Sequence, residues 1–270
     1  MNNGKRHIFL GGNARSGTTA LVKLFNCHPA MFIMNERYLK LFHTRENLTP
    51  DHFSAEALLS AKKGFPDGPD DAESLKSRYE TATFVGDKLA PIFRRFAMMD
   101  EQFKDAELFF IVRNPLSVVE SYQARLDAGT WTQDFEDGVR QWNASVRLGL
   151  ARKRAGKKLV VLCYEELFRS RSNIAELFAS LGLSIDDANQ DEINKIIGSA
   201  NELAEKLQPR NEDIRFQVSV GCNFTAYRKL MLEHSFHKGE IVAKAANIAS
   251  KEIGRKRGKR SAVGMKEQVK

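Results

Sequence analysis

The chain has 270 residues, of which 42% are hydrophobic, and a formal net charge of +8. No apolar run reaches the roughly 20 residues needed to span a bilayer, and the N-terminal apolar run, residues 7–10, is too short for the core of a signal peptide. The three cysteines lie far apart, without disulfide or metal-ligand spacing. We therefore expect a cytoplasmic protein with reduced thiols, no membrane span and no bound metal.

Short β-rich runs alternate with helical patterns over roughly the first 165 residues. The predicted strands are 8–11, 31–34, 83–86, 108–112 and 159–163. The predicted helices are 19–27, 91–99, 115–127, 135–156, 172–181, 186–207, 225–234 and 240–254, and the clearest loop is 65–71. This alternation predicts an α/β fold, a three-layer α/β/α domain with a central parallel sheet and a helical C-terminal part.

A single domain is predicted over residues 1–254, followed by a basic, flexible tail at 255–270. Residues 251–270 contain eight Lys or Arg and two Glu. Such a segment could bind nucleic acid or an acidic surface. However, termini are commonly disordered, and no aromatic residue is interleaved with these charges. We therefore expect no nucleic-acid partner.

The first predicted strand leads into "GGNARSGTT", residues 11–19. Gly12, Gly17 and Thr19 match a phosphate-binding P-loop, G-x-x-x-x-G-K-[ST], but Thr18 replaces the lysine. Because that lysine reaches the β- and γ-phosphates of a nucleotide, its replacement favours a smaller anion such as a phosphosulfate. An ordinary strand-to-helix turn with a Ser/Thr cap fits the same pattern.

Three polar side chains of this loop would support an anion site. Arg15 offers a guanidinium suited to oxyanions, while Ser16 and Thr18 offer hydroxyl donors beside a helix N-terminus.

A second strand, turn and helix lies in "FFIVRNPLSVVESYQARL", residues 109–126. Arg113 ends the predicted strand, and Ser121 and Arg125 share one face of the helix because they are four residues apart. These three groups predict a second anion site at the carboxyl ends of the strands. The alternative is that the arginines are ordinary surface charges.

With these two segments, residues 7–182 resemble the PAPS-dependent sulfotransferase superfamily. "RSGTT", residues 15–19, is similar to its 5′-phosphosulfate loop, and "RNPLSVVES", residues 113–121, to its 3′-phosphate motif. The motif layout is closest to tyrosylprotein sulfotransferases, with His28-Pro29 and Glu36 in register. "LCYEELF", residues 162–168, is similar to a later Tyr-Glu segment of the family.

The resemblance implies a fold related to P-loop kinases and PAPS as co-substrate, released as PAP. PAPS has no γ-phosphate, which accounts for the missing lysine. The residues implied to bind it are Arg15, Ser16, Gly17, Thr18, Thr19, Arg113, Ser121, Arg125 and Tyr164.

Sulfuryl transfer requires a base for the acceptor hydroxyl and a positive charge on the leaving oxygen. The resemblance assigns these roles to Glu36, after the strand 31–34, and to Lys88, expected just past the strand 83–86, with Arg15 as a further catalytic cation. Arginine and lysine supply the positive charge, so no metal is expected. His28 and Asp87 are weaker alternative bases.

The chain departs from the tyrosylprotein enzymes at Tyr38, where they carry an arginine. The expected acceptor is therefore a glycan, a lipid-linked sugar or a small alcohol. Two other functions stay open: a P-loop nucleotide or small-molecule kinase, and a non-catalytic protein that binds PAP or polyanions. The oligomeric state stays undetermined.

Overall fold

The fold is built on a five-stranded sheet with the order β2-β3-β1-β4-β5, in a computed structural model that describes residues 4–59, 72–206 and 212–237. Every strand pair is parallel. The strands are β1 Arg6–Gly12, β2 Met31–Asn35, β3 Phe84–Lys88, β4 Glu107–Val112 and β5 Val160–Cys163. The predicted parallel sheet is confirmed, and all five strands lie where the sequence predicts them, with ends shifted by no more than two residues.

Helices connect the strands and form the C-terminal part. Within the described residues they are α1 Thr18–Asn26, α2 Leu39–Thr44, α3 Ala55–Leu59, α4 Ala72–Thr81, α5 Phe96–Gln102, α6 Pro115–Asp127, α7 Phe135–Arg154, α8 Tyr164–Leu167, α9 Arg171–Ala179, α10 Gln190–Lys206, α11 Glu212–Gly221 and α12 Phe224–His234. Short 3-10 helices lie at Pro50–Phe53, Ala90–Arg95 and Ile185–Asp187. Across these described segments, no helix combines the length and the apolar character that crossing a membrane requires.

Two predicted helices are wrong in detail. The predicted helix 91–99 is split into a 3-10 segment and α5, which are separated at Arg95, whose dihedral angles are not helical. The predicted helix 186–207 is likewise a 3-10 turn and α10, separated at Ala188, whose backbone is extended. The predicted helix 240–254, the loop 65–71 and the tail 255–270 lie outside the described residues.

The sheet is buried on both faces. In β4, Leu108, Phe110 and Val112 belong to one apolar core, which includes residues of α6, α7, α11 and α12. Phe109 and Ile111 belong to a second core, formed with α1, α9 and α10. Because side chains alternate between the faces of a strand, the unbroken apolar run of β4 contributes to both cores. The sheet is therefore the middle layer of three, with helices on each side.

Backbone groups on the free edge of each outer strand are hydrogen-bonded to other parts of the chain. On β2, the side chain of Asn26 imitates a neighbouring strand: its Oδ1 accepts from the Ile33 N–H at 3.0 Å and its Nδ2 donates to the Ile33 carbonyl at 2.8 Å. On β5, Ser235 forms a parallel bridge with Val161, and the Phe236 N–H donates to the Val161 carbonyl at 2.8 Å.

Candidate functional site

The turn between β1 and α1 is the glycine-rich loop of the sequence. Gly17 has φ +92° and precedes α1, whose start receives no capping hydrogen bond from a side chain in the described residues. The predicted alternative of a Ser/Thr-capped turn is therefore not the observed arrangement. A Cβ on Gly17 would lie 2.3 Å from Cδ2 of Tyr164, so only glycine permits this approach of loop and ring.

The hydroxyl groups of the loop differ in exposure. Ser16 is fully buried, and its Oγ has no hydrogen-bond partner among the described residues. Thr18 is buried at the start of α1, whereas Thr19 is exposed. A buried hydroxyl without a partner is costly in a folded protein, so Ser16 Oγ is available for a hydrogen bond to a ligand atom.

The two predicted anion sites converge on Arg15. Its Nε donates to Ser121 Oγ at 2.8 Å, and its guanidinium lies 5.8 Å from the centroid of the Trp131 ring. Burial, followed by the charges of Arg125 and Arg113, lowers the pKa of Arg15. The charges of Arg113 and Arg125 therefore act on Arg15 beyond the carboxyl end of β1, and a bound anion would relieve this repulsion.

Arg113 lies directly after β4 and is buried. Its guanidinium lies 4.2 Å from the centroid of the Tyr164 ring, and its Nε has no hydrogen-bond partner within the described part of the chain. The Trp142 indole N–H donates to the Arg113 carbonyl at 3.0 Å, while the Asn114 N–H donates to Glu165 Oε1 at 2.9 Å. These contacts fix the backbone on both sides of the turn.

A cleft of about 360 Å³ adjoins Arg113 and Tyr164. It lies between the start of α6, α8 and α10, where its lining includes Ser117, Arg169 and Asn201. Its volume falls within the roughly 300–1,000 Å³ of small-molecule sites. An anion bound at the arginines could thus extend into a space that also holds an organic group.

Glu36 and Lys88 form an ion pair, with 2.8 Å between Lys88 Nζ and Glu36 Oε1. The prediction that Lys88 lies past its strand is wrong: it is the last residue of β3, because the ladder with β1 continues to Leu10. The Lys88 side chain is 4% exposed and that of Glu36 is 38% exposed. Only the carboxylate of this pair is open to a large molecule from solvent.

The two alternative bases occupy other surroundings. Asp87 is completely buried, and its carboxylate accepts the backbone N–H groups of Arg37 and Tyr38. His28 follows α1, at the edge of the sheet where strands begin, opposite the glycine-rich loop. Its Nδ1 accepts the Ala30 N–H at 3.0 Å, and burial lowers its pKa. Neither side chain is exposed to solvent as an open base would be.

Sequence reasoning missed two side chains at this site. Trp131 lies in the loop after α6, beside Arg15 and in edge contact with Tyr122, 5.1 Å between ring centroids. Glu165 holds the Asn114 amide. Trp131 belongs to no motif, whereas Glu165 stands next to the predicted Tyr164 and could have been proposed from that position. No group of three or more His, Cys, Asp or Glu side chains in the described segments is arranged to hold a metal.

Residues 7–187 match the model of a family described as the sulfotransferase family. No curated protein sequence matches the chain significantly.

Three solved structures are similar to the chain at low identity. The sulfotransferase domain of the Synechococcus PCC 7002 olefin synthase is 19% identical, with 82% of this chain and 96% of that one covered and a TM-score of 0.45. A sulfotransferase from Alicyclobacillus acidocaldarius is 18% identical, with coverages of 78% and 99% and a TM-score of 0.44. Mouse sulfotransferase SULT7A1, complexed with PAP, is 16% identical, with coverages of 76% and 69% and a TM-score of 0.42.

Proposed function

Because the chain belongs to the sulfotransferase family, matched over residues 7–187, we propose that it transfers the sulfuryl group of PAPS to a hydroxyl acceptor and releases PAP. The hydrogen bond that joins Arg15 to Ser121, with the charges of Arg113 and Arg125 acting on Arg15, is the observation that carries this proposal. A donor with a phosphosulfate at one end and a 3′-phosphate at the other would neutralise charges that otherwise repel one another.

The residues present fit such a donor. Ser16 Oγ and Arg113 Nε are buried polar atoms without partners among the described residues, and each could bind an anionic oxygen. The backbone of Gly17 and the start of α1 would receive the phosphosulfate, with Thr18 and Thr19 beside it. Ser121 and Arg125 would receive the 3′-phosphate with Arg113. The cleft beside Tyr164 offers space for the nucleoside.

Glu36 and Lys88 supply the acid–base chemistry in this proposal. The acceptor hydroxyl oxygen forms a bond to sulfur while the bond from sulfur to the phosphate oxygen breaks. Glu36 takes the hydroxyl proton, and Lys88 donates to the leaving oxygen. The two side chains are in contact because Glu36 follows β2 and Lys88 ends the adjacent strand, β3. The exposed carboxylate meets the acceptor, and the buried ammonium remains on the protein side.

The acceptor class stays as the sequence predicts it: a glycan, a lipid-linked sugar or a small alcohol. We place the enzyme in the cytoplasm because Cys27, Cys163 and Cys222 are free thiols, which a reducing compartment maintains.

A thermal-shift titration tests donor binding. PAP at about 100 times its Kd should stabilise the wild-type protein by about 2.7 kcal/mol, whereas ADP and ATP with Mg²⁺ should do so less. Arg113→Ala should lose the response to PAP. Arg147→Ala, which removes an exposed arginine of α7, is the matched control and should keep it. Stabilisation by ATP with Mg²⁺ and indifference to PAP would refute the proposal in favour of a kinase.

Transfer from labelled PAPS to a panel of glycans, polyprenyl sugars and alcohols tests catalysis. Glu36→Gln should lower the rate by about 10²–10⁴-fold, the usual contribution of a general base, while the PAP response is retained. Binding of PAP without transfer to any acceptor by the wild-type protein would instead support the non-catalytic alternative.

A further inference from the structure

The turn that carries Glu36 is tied to the end of β3 by three consecutive backbone amides. The Glu36 N–H donates to the Lys88 carbonyl at 3.0 Å. The next two, of Arg37 and Tyr38, donate to Asp87 Oδ1 at 3.3 Å and Oδ2 at 2.9 Å. A single buried carboxylate thus accepts the two amides that follow Glu36.

The backbone of Glu36 is unusual for its residue type. Its φ is +60°, in the left-handed region that a residue with a Cβ rarely adopts. Successive amides around a left-handed residue form a concave anion site, known as a nest. The Asp87 carboxylate occupies the nest of residues 36–38, and such strain persists only where the surroundings enforce it.

We infer that Asp87 is a positioning residue, whose carboxylate holds Glu36 in the left-handed conformation that aims its side chain at the acceptor. The inference rests on the role of Glu36 under the proposed function. Asp87 itself is completely buried, so it acts through the backbone of the turn and not on the acceptor. Asp87 is therefore an additional residue of the site, but it is not a second base.

The surroundings of Asp87 give this arrangement a pH dependence. On the neighbouring strands it lies beside Phe9 and Met34, which carry no charge. The titratable groups that face it are Lys88, Glu36 and Tyr38, with Arg37 at the adjacent amide.

Burial raises the pKa of Asp87 to about 7, against the lowering effect of the two amide bonds and Lys88. Once protonated, one of its oxygens becomes a hydroxyl and accepts an amide poorly. The hold on the turn therefore weakens as pH falls through about 7.

Asp87→Asn tests the inference, with Asp100→Asn as the matched control. Asp100 accepts two hydrogen bonds from Arg152, at 2.6 and 3.1 Å, and belongs to α5, so its change removes a charge-assisted pair outside the turn. The first measurement is residue-resolved amide hydrogen exchange by NMR. In Asp87→Asn, protection factors of the Arg37 and Tyr38 amides should fall by about 10-fold or more, because the hydrogen bonds to a charged acceptor are lost. Asp100→Asn should leave them unchanged.

Kinetics provide a second readout. Asp87→Asn should lower kcat by about 10–100-fold through misplacement of Glu36, with the KM for PAPS unchanged. The wild-type rate should decline as pH falls below about 7, where Asp87 becomes protonated. This decline should be absent in Asp87→Asn, because the titrating carboxylate has been removed.

Unchanged exchange at both amides would overturn the inference. A loss of rate as large as that of Glu36→Gln, with exchange unaltered, would also overturn it, because Asp87 would then be the base. Full activity of Glu36→Gln would instead refute the proposed role of Glu36, and that result is independent of the exchange measured in Asp87→Asn.

Discussion

Gly17→Ala should destabilise the protein at the glycine-rich loop. The structure allows the loss in free energy of unfolding to be divided into two parts. A left-handed residue with a Cβ costs about 1–2 kcal/mol, and Gly17 has φ +92°. The added methyl would lie 2.3 and 2.5 Å from two ring carbons of Tyr164. That ring cannot move away freely, since it packs between Arg113 and Phe168 and is 5% exposed. Overpacking adds about 1–3 kcal/mol, so we expect a total loss of about 2–5 kcal/mol.

Gly182→Ala separates the two parts. Gly182 has φ +77°, and a Cβ there would meet nothing within 4 Å, so only the backbone cost of about 1–2 kcal/mol applies. Urea unfolding of both variants measures the difference, and PAP titration of Gly17→Ala should show a lost thermal shift. In the double variant Gly17→Ala/Tyr164→Ala the steric part should vanish, giving a favourable coupling of about 1–3 kcal/mol.

Equal destabilisation by Gly17→Ala and Gly182→Ala would refute the steric reasoning. Zero coupling between Gly17 and Tyr164 in the double variant would do the same, because it would show that the ring does not press on the loop.

Two further predictions concern charge and backbone strain. The folded pKa of Asp87, about 7, lies above its ordinary value of 3.8, so the folded state binds more protons between these values. Stability should therefore fall as pH rises from about 4 to 7, by about 4 kcal/mol at 1.36 kcal/mol per pKa unit, and Asp87→Asn should flatten this part of the urea-midpoint profile; an unchanged slope would contradict the assignment. At Arg15, which has φ +69°, Arg15→Gly should be more stable than Arg15→Ala by about 1 kcal/mol, since glycine relieves the left-handed strain. Both variants should lose the PAP response, and equal urea midpoints would show that the strain is absent.

The sheet could be predicted because its signals are local. The run Leu108–Val112 is apolar at every position, which is typical of a strand buried on both faces. Arg15 and Arg113 could be placed at one edge of the sheet for a similar reason: each follows a strand, and parallel strands end at one edge. Family resemblance added the roles of Glu36 and Lys88, which spacing alone did not provide and which remain proposals.

Features that depend on distant contacts could not be predicted in this way. The nest around Asp87 requires the turn after β2 to meet β3, 50 residues along the chain from Arg37. The helix α2 has only Phe42 buried and no capping side chain, so its sequence carries a weak pattern. Trp131 reaches Arg15 from a loop without periodicity. In each case tertiary contact decides the structure over local propensity.

The contacts on the two outer strands bear on self-association. An unpaired strand edge can recruit a strand from another molecule and start aggregation. Asn26 occupies both backbone groups of Ile33 in the middle of β2, and Phe236 takes a carbonyl of β5 from the other side. A second copy of the chain would have to displace these bonds before it could extend the sheet. The side chain of Asn26 and the segment 235–236 thus help to prevent this apolar sheet from pairing with a strand of another molecule.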